Sequence, residues 1–213
     1  MPKHPLSLEW PNSHSLVTLH DKIDRFLEHN MSLHIVGFAG SLSRPSKARL
    51  LIDLVTTRAA AALRASAATY DLTDLQPGLG TAQTLSDIEG PPRAIVDSLL
   101  SADALVVGSP VYKGSYTGLF KHLFDLFDPA ALAGKPVLLT ATGGGERHAL
   151  VIEHQLRPLF GFFEAVTLPT GIYASGADFS DGVPTSPALL ARIDRAIIQF
   201  QTTLPHRPAA TAA

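Results

Sequence analysis

The sequence predicts a doubly wound α/β fold, a parallel five-stranded sheet with helices on both faces. Three observations carry that reading. From residue 33 to residue 204, short apolar runs of strand length alternate with longer segments whose apolar residues recur at helical spacing. Strands separated by helices pair in parallel through right-handed crossovers, because each helix returns the chain to the same end of the sheet. Three of the runs end in loops of small and polar residues, at 40–47, 109–116 and 142–148. In such a sheet ligands sit beyond the carboxyl ends of the strands, where the strand order reverses.

Residues 33–38 (LHIVGF) read as a buried strand running into the tight turn Ala39-Gly40-Ser41. Residues 47–63 carry Leu50, Leu51, Leu54, Val55 and Leu63 among alanines, a helical stripe of high propensity. A short strand is expected at 69–72, then a long connection over 73–90, rich in Gly, Pro, Thr and Asp. Ile95, Val96, Leu99 and Leu100 mark a helix at 93–100, and ALVVG at 104–108 is a second buried strand, closed by Ser109-Pro110. Leu119, Leu123, Leu126 and Phe127 place a helix on 116–127. KPVLLT at 135–140 is a third strand, closed by Gly143-Gly144-Gly145. A helix over 149–163, interrupted near Pro158, precedes a fourth core strand at 164–168 and a final amphipathic helix at 187–204.

The domain so defined spans 31–204. Residues 1–30 stand apart from it. They read either as an ordered helix, with Leu16, Leu19, Ile23, Phe26 and Leu27 as its stripe after a cap at Ser13 or Ser15, or as a start-site artefact upstream of Met31. Residues 205–213 read as a frayed tail.

Composition removes several classes of function. The 213 residues hold 46% hydrophobic and only 17% charged side chains, against roughly 25% charged in an average soluble domain. A formal net charge of −2 excludes a globally basic nucleic-acid binder. Zero cysteines exclude a disulfide framework, a thiolate zinc site, an iron–sulfur cluster and a cysteine nucleophile. No run approaches the roughly 20 apolar residues that span a bilayer, and the N-terminus lacks a signal-peptide core. The expectation is a cytoplasmic protein with no membrane partner.

Each loop has a functional reading and a plain one. In GSLSRPSK (40–47), backbone N–H groups at a helix N-terminus, three hydroxyls and a positive side chain make an anion site, equally an ordinary capped helix after a serine-rich turn. Pro45 stands where the P-loop needs its second glycine, so a single phosphate monoester suits it better than a polyphosphate. SPVYKGSYTG (109–118) offers two planar tyrosines beside glycines, a bed for a flat heterocycle or simply a loop with exposed aromatics. TGGGERH (142–148) lets backbone approach a ligand unobstructed, or is a flexible turn. Together at successive strand ends they favour a flat cofactor bearing one phosphate, for which FMN fits best. Ser115 lies in GSYTG, not in the GxSxG of a nucleophile elbow. His148 and His154 are not at HExxH spacing, so no metal site is expected.

On these residues the chain resembles the NAD(P)H-dependent FMN reductases of the flavodoxin-like superfamily, over about residues 33–178. GSLSRPSK is similar to the family's FMN-phosphate loop, and SPVYKGSYTGLFKHLFDLF (109–127) to the loop and helix beneath the flavin ring. TGGGERHALVIEHQLRPLFGFF (142–163) and LPTGIYASGADF (168–179) most resemble the reductases of methanesulfonate, alkanesulfonate and sulfone monooxygenase systems. The resemblance implies that Ser41, Ser43, Ser46 and Lys47 hold the FMN phosphate, with Arg44 near it or near the nicotinamide nucleotide. It implies flavin-ring contacts from Pro110, Val111 and Tyr112, and packing of Thr142, Gly143, Gly144 and Gly145 at the other edge. It matches Tyr116 to a tyrosine that, in the alkanesulfonate members, sits in a widened helical turn at an interface between copies and is associated with flavin release; the sequence leaves open whether Tyr116 lies in such a turn.

The expected function is therefore reduction of FMN by NADH or NADPH, with reduced FMN passed to a flavin-dependent monooxygenase, by a homodimer or homotetramer. Hydride passes between stacked rings, so no side chain is expected to be catalytic. The alternatives are a quinone or azo reductase with tightly bound FMN, and a flavodoxin-like electron carrier. Net −2 argues against the carrier, which needs a strongly acidic surface.

Overall fold

Strands buried on both faces need helices on both sides, and that is what the chain builds. In the computed structural model, which describes residues 33–204, the strands are β1 (His34–Ala39), β2 (Ser66–Asp71), β3 (Ala104–Pro110), β4 (Pro136–Gly143), β5 (Val166–Thr167) and β6 (Ile172–Ser175). The readings of 1–30 and 205–213 lie outside the described residues. All pairings in this sheet are parallel, in the order β2-β1-β3-β4-β5. β5 pairs with Pro136–Val137 and β6 with Thr140–Gly143, so the two share the fifth position on successive parts of β4. The strand order reverses between β1 and β3.

Side chains alternate across the sheet as the two-residue period requires. Ile35, Ala39, Val106 and Leu138 face α1 (Lys47–Leu63) and α5 (Pro187–Thr203). Val36, Phe38, Leu105, Val107, Val137 and Leu139 face α2 (Gly90–Ser101), α3 (Gly118–Asp125) and α4 (Arg157–Phe162). On that second face Phe124 packs against Phe120 and Phe160, each with ring centroids 4.9 Å away. Each fully buried ring contributes on the order of 2–3 kcal/mol by removal from water, which fixes α3 and α4 on the sheet. Gly108 has no room for a side chain, because a Cβ there would run into the hydroxyl and carbonyl of Thr140 on β4.

Several elements differ from the sequence expectation. β2 begins at Ser66, not residue 69. Its first residues are small and mostly exposed, and backbone pairing with His34–Val36 makes them strand. The helix near Pro158 is continuous, with a π turn at Ile152–Leu156 just before the proline. There the Arg157 N–H reaches the Ile152 carbonyl. The fourth core strand expected at 164–168 is reduced to β5, half-exposed, while β6 carries the edge. The proline-containing stretch after Phe179 forms a hairpin, β7 (Phe179–Ser180) and β8 (Val183–Pro184). Its turn residues Asp181 and Gly182 both have positive φ, the conformation that tight hairpin turns demand.

Candidate functional site

The three loops meet at the carboxyl edge of β1, β3 and β4, and hydrogen bonds tie each to the next. The Gly40 N–H donates to the Gly108 carbonyl at 2.7 Å, and the Thr117 hydroxyl donates to the Gly40 carbonyl at 2.8 Å. Ser109 Oγ accepts the Thr117 N–H at 3.0 Å. The Val111 N–H donates to the Thr142 carbonyl at 2.7 Å, joining the second loop to the third. A Cβ on Gly40 would lie 2.7 Å from Phe120 and 2.9 Å from Ser109 Oγ, so only glycine permits this approach.

In the first loop Ser46 is extended and caps the 17-residue α1, accepting the Arg49 N–H. Its hydroxyl proton remains available for donation. Ser43 is exposed, and Ser41 is buried with its hydroxyl left without a hydrogen-bond partner among the described residues. A buried polar group without a partner is rare and calls for a ligand or a water. The N-terminus of α1 adds unpaired N–H groups and the positive end of the helix dipole.

The loop's cations are engaged elsewhere. Arg44 Nε and Nη2 donate to the two carboxylate oxygens of Asp71 at 3.0 and 2.9 Å, and Nη2 also meets Asp74 at 2.6 Å. Arg49 Nη1 reaches Asp71 at 3.0 Å and Asp74 at 3.2 Å. The Asp71 side chain is fully buried at the end of β2, next to β1. Burial pushes its carboxyl up, but the Arg44 guanidinium and the Thr73 hydroxyl outweigh that and hold it below the ordinary carboxylate range. The Asp71 pair raises the already high basicity of Arg44 further, with Asp74 adding to it. Lys47 places its ammonium 5.4 Å from the centre of the Phe179 ring, at the start of the β7–β8 hairpin.

The second loop turns tightly at Tyr112–Ser115, whose backbones exchange hydrogen bonds of 2.9 and 3.2 Å. Lys113 and Gly114 take positive φ there. The N–H groups of Val111 and Tyr112 are thus committed, leaving the Tyr112 ring, 57% exposed, as that residue's free surface. Ser115 Oγ donates to Gln155 Oε1 at 3.1 Å, anchoring the loop on the π turn.

Tyr116 does not lie in a widened helical turn, unlike the tyrosine it matches in the alkanesulfonate members. α3 begins at Gly118, after an extended Thr117 whose N–H and hydroxyl are spent on Ser109 and Gly40. Those bonds stop the helix from extending back to Tyr116, whose half-buried ring sits 5.9 Å from Phe120. The π turn of this chain is the one at Ile152–Leu156.

In the third loop Thr142 is buried, and its carbonyl holds the second loop. A Cβ on Gly143 would collide with the Tyr173 hydroxyl, whereas Gly144 and Gly145 border open space. Tyr173, on β6, donates its hydroxyl to the Gly145 carbonyl. Burial of the ring raises the phenol above its ordinary pKa, against the pull of that hydrogen bond.

All of the residues singled out in the sequence therefore belong to one edge. Sequence reasoning missed Asp71, Asp74, Arg49 and Tyr173. The D-L-T-D spacing at 71–74 is a capping-box signal that points to Asp71 and Asp74, since both halves of the box form. Nothing local marked Tyr173. Among the described residues no group of His, Asp and Glu is placed to hold a metal ion, and no helix is long and apolar enough to cross a membrane.

This edge provides a cradle of hydroxyls and helix-terminal N–H groups beside a bed of backbone and aromatic surface, suited to an anion carrying a planar group. Comparison with known proteins bears on what it takes. Residues 33–180 match the family model described as NADPH-dependent FMN reductase. The chain is 48% identical over 159 residues to a Pseudomonas aeruginosa protein named FMN reductase (NADPH), covering 75% of this chain and 86% of that one. It is 46% identical over 176 residues to the NADH-dependent FMN reductase SfnF of Pseudomonas fluorescens, covering 81% and 94%. Among solved structures it is similar to an oxidoreductase from Corynebacterium diphtheriae, with TM-score 0.70, 34% identity and coverage of 81% and 97%. It is likewise similar to the apo form of an NADH:FMN oxidoreductase, EMOB, with TM-score 0.71, 30% identity and coverage of 83% and 92%.

Proposed function

The chain belongs to the NADPH-dependent FMN reductase family, and from that premise we propose that it hands reduced FMN to a separate flavin-dependent monooxygenase acting on sulfonates or sulfones. Its activity is that of an NAD(P)H:FMN oxidoreductase, with FMN and NADH or NADPH as cofactors. Bound FMN supplies the hydride acceptor, and the nicotinamide ring supplies the hydride. The residues of this chain have no proton to move in that transfer. Their work is to bind, orient and exclude alternatives.

The observation that supports this reading is the meeting of three loops at one sheet edge, each hydrogen-bonded to the next, with a buried Ser41 hydroxyl in the first that has no partner among the described residues. The phosphate takes the N-terminus of α1 with Ser41, Ser43 and Ser46, and Arg44 and Lys47 stand at its rim. The ring lies against Pro110, Val111 and Tyr112, with Thr142 and Gly143 behind its other edge. Gly144 and Gly145 leave the room that a planar group needs. Transfer to a monooxygenase is supported by the likeness of 142–163 and 168–179 to the reductases of sulfonate systems. Work in the cytoplasm as a homodimer or homotetramer, with Tyr116 at the contact between copies, completes the proposal.

The test is aerobic NADH oxidation by flavin-free protein as FMN rises from substoichiometric to large excess. The expected rate keeps climbing and saturates only in excess FMN, as for a substrate that comes and goes. A plateau at one FMN per subunit, with further gain only on adding a quinone, overturns the hand-over and makes FMN a resident group.

A further inference from the structure

We propose that Asp74 is a positioning residue that, together with the buried Asp71, keeps Arg44 from the phosphate cradle and so sets how loosely FMN is held. The inference rests on the reading that the cradle takes the FMN phosphate. Three cations stand in or next to the first loop, Arg44, Lys47 and Arg49, and both arginines have their head groups on carboxylates. Arg44 and Arg49 share Asp71 and Asp74, two cations against two anions. Lys47 sits over the Phe179 ring. The phosphate is left with the hydroxyls of Ser41, Ser43 and Ser46, the N–H groups of α1 and, at the rim, the Lys47 ammonium.

A guanidinium brings to a phosphate its full positive charge and a bidentate geometry, which a neutral hydroxyl or N–H donor lacks. A loop that carries an arginine yet spends it on two carboxylates therefore gives up affinity it has the residue to supply. For an enzyme whose flavin must leave after reduction, weak holding shortens residence, because affinity differences at one site appear mainly in the off-rate.

Asp74 is the member of the cluster that can be changed. Asp71 is fully buried under both arginines, whereas the Asp74 side chain is 26% exposed and Arg44 is 53% exposed. Asp74 Oδ2 accepts the Asp71 N–H at 2.9 Å and Oδ1 meets Arg44. Asparagine keeps an acceptor for that N–H but turns an amide donor toward the guanidinium, so Asp74→Asn preserves the cap and leaves Arg44 held by Asp71 alone. The cluster's net charge rises by one.

The experiment measures FMN and riboflavin affinity of flavin-free protein, wild type and Asp74→Asn, by fluorescence quenching at low and high salt. FMN should bind Asp74→Asn about fivefold more tightly, riboflavin should not change, and the gain should shrink as salt screens the added charge. A second substitution, Arg44→Gln, placed on Asp74→Asn should erase the gain. An unchanged FMN-to-riboflavin ratio overturns the inference, as does equal weakening of both ligands, which marks Asp74 as a structural cap. If Asp74→Asn does not fold, Asp74→Ser, which keeps an oxygen for the Asp71 N–H, carries the same expectations. Equal affinity of the wild type for FMN and riboflavin removes the phosphate from the cradle and overturns the underlying reading instead.

Discussion

The Tyr173 hydroxyl stands in the space that a Cβ at position 143 would need. Tyr173 lies on β6 opposite Ala141 of β4, and the same hydroxyl donates to the Gly145 carbonyl. One side chain on the edge strand thus requires a glycine at the start of the third loop and fixes the carbonyl two residues on. The shape of that loop is dictated from β6 as much as by its own glycines.

Gly143→Ala should therefore destabilise the fold by about 1–3 kcal/mol, the usual cost of forcing a methyl into occupied space. Combining it with Tyr173→Phe removes the nearest obstructing atom and leaves the ring carbon at 3.2 Å from the new Cβ. The double variant should recover part of the loss, a non-additivity expected only of residues in contact. Urea unfolding of the two single variants and the double one measures it, and strict additivity refutes the contact.

Tyr173→Phe alone keeps the ring and frees the Gly145 carbonyl. Stability should fall by about 0.5–1.5 kcal/mol, the net worth of one hydrogen bond, while KM for FMN rises several-fold. The pH dependence has a definite sign. The phenol is raised above its ordinary value of 10.0 by burial, so its contribution is complete below that value and is lost as pH rises through the folded pKa. KM for FMN in the wild type should stay flat up to about pH 10 and climb beyond it, and Tyr173→Phe should abolish the climb. A climb that persists in the variant assigns the effect to another group.

Legibility divided along physical lines. The helix expected at 47–63 is α1, residue for residue, because its stripe and Ser46 cap are local. The strands at 33–38, 104–108 and 135–140 were legible because burial on both faces leaves an unbroken apolar run. β6 was not, since the pairing that makes it a strand lies on β4. The site was legible as three loops. Its electrostatics were not, because Arg44 meets Asp71 across 27 residues and the sequence counts an arginine without showing that its charge is already matched. The start of α3 was misread for a similar reason. Phe120, Leu123 and Phe124 repeat helically, but what stops the helix at Gly118 is a pair of hydrogen bonds to Ser109 and Gly40.

Ser41 predicts a trade-off between stability and binding. Its hydroxyl is buried without a partner among the described residues, so Ser41→Ala removes a group whose desolvation is uncompensated in the flavin-free protein. Unfolding of the flavin-free variant should be unchanged or harder by up to about 1 kcal/mol. FMN binding should weaken by about tenfold, the usual cost of losing one donor to a charged phosphate. Thermal shifts with and without saturating FMN separate the two effects. A variant that loses stability without flavin, and keeps its affinity, assigns the hydroxyl to packing alone.

The acid limb of the stability curve should belong largely to Asp71. Its carboxyl is held below its ordinary value of 3.8 by Arg44 and Thr73 despite burial. A depressed carboxyl stabilises the folded state fully above the unfolded value, and the contribution drains away as pH falls through the folded one. At pH 7 Asp71→Asn should cost about 2 kcal/mol, less than the 3–5 kcal/mol typical of breaking a fully buried pair, because both arginines keep access to water. As pH is lowered from about 5 to about 2 the wild type should lose that advantage and converge on the variant. Urea unfolding of both proteins across this range is the measurement. A constant gap between them would show that the neutral hydrogen bonds of Asp71, and not its charge, hold the first loop to β2.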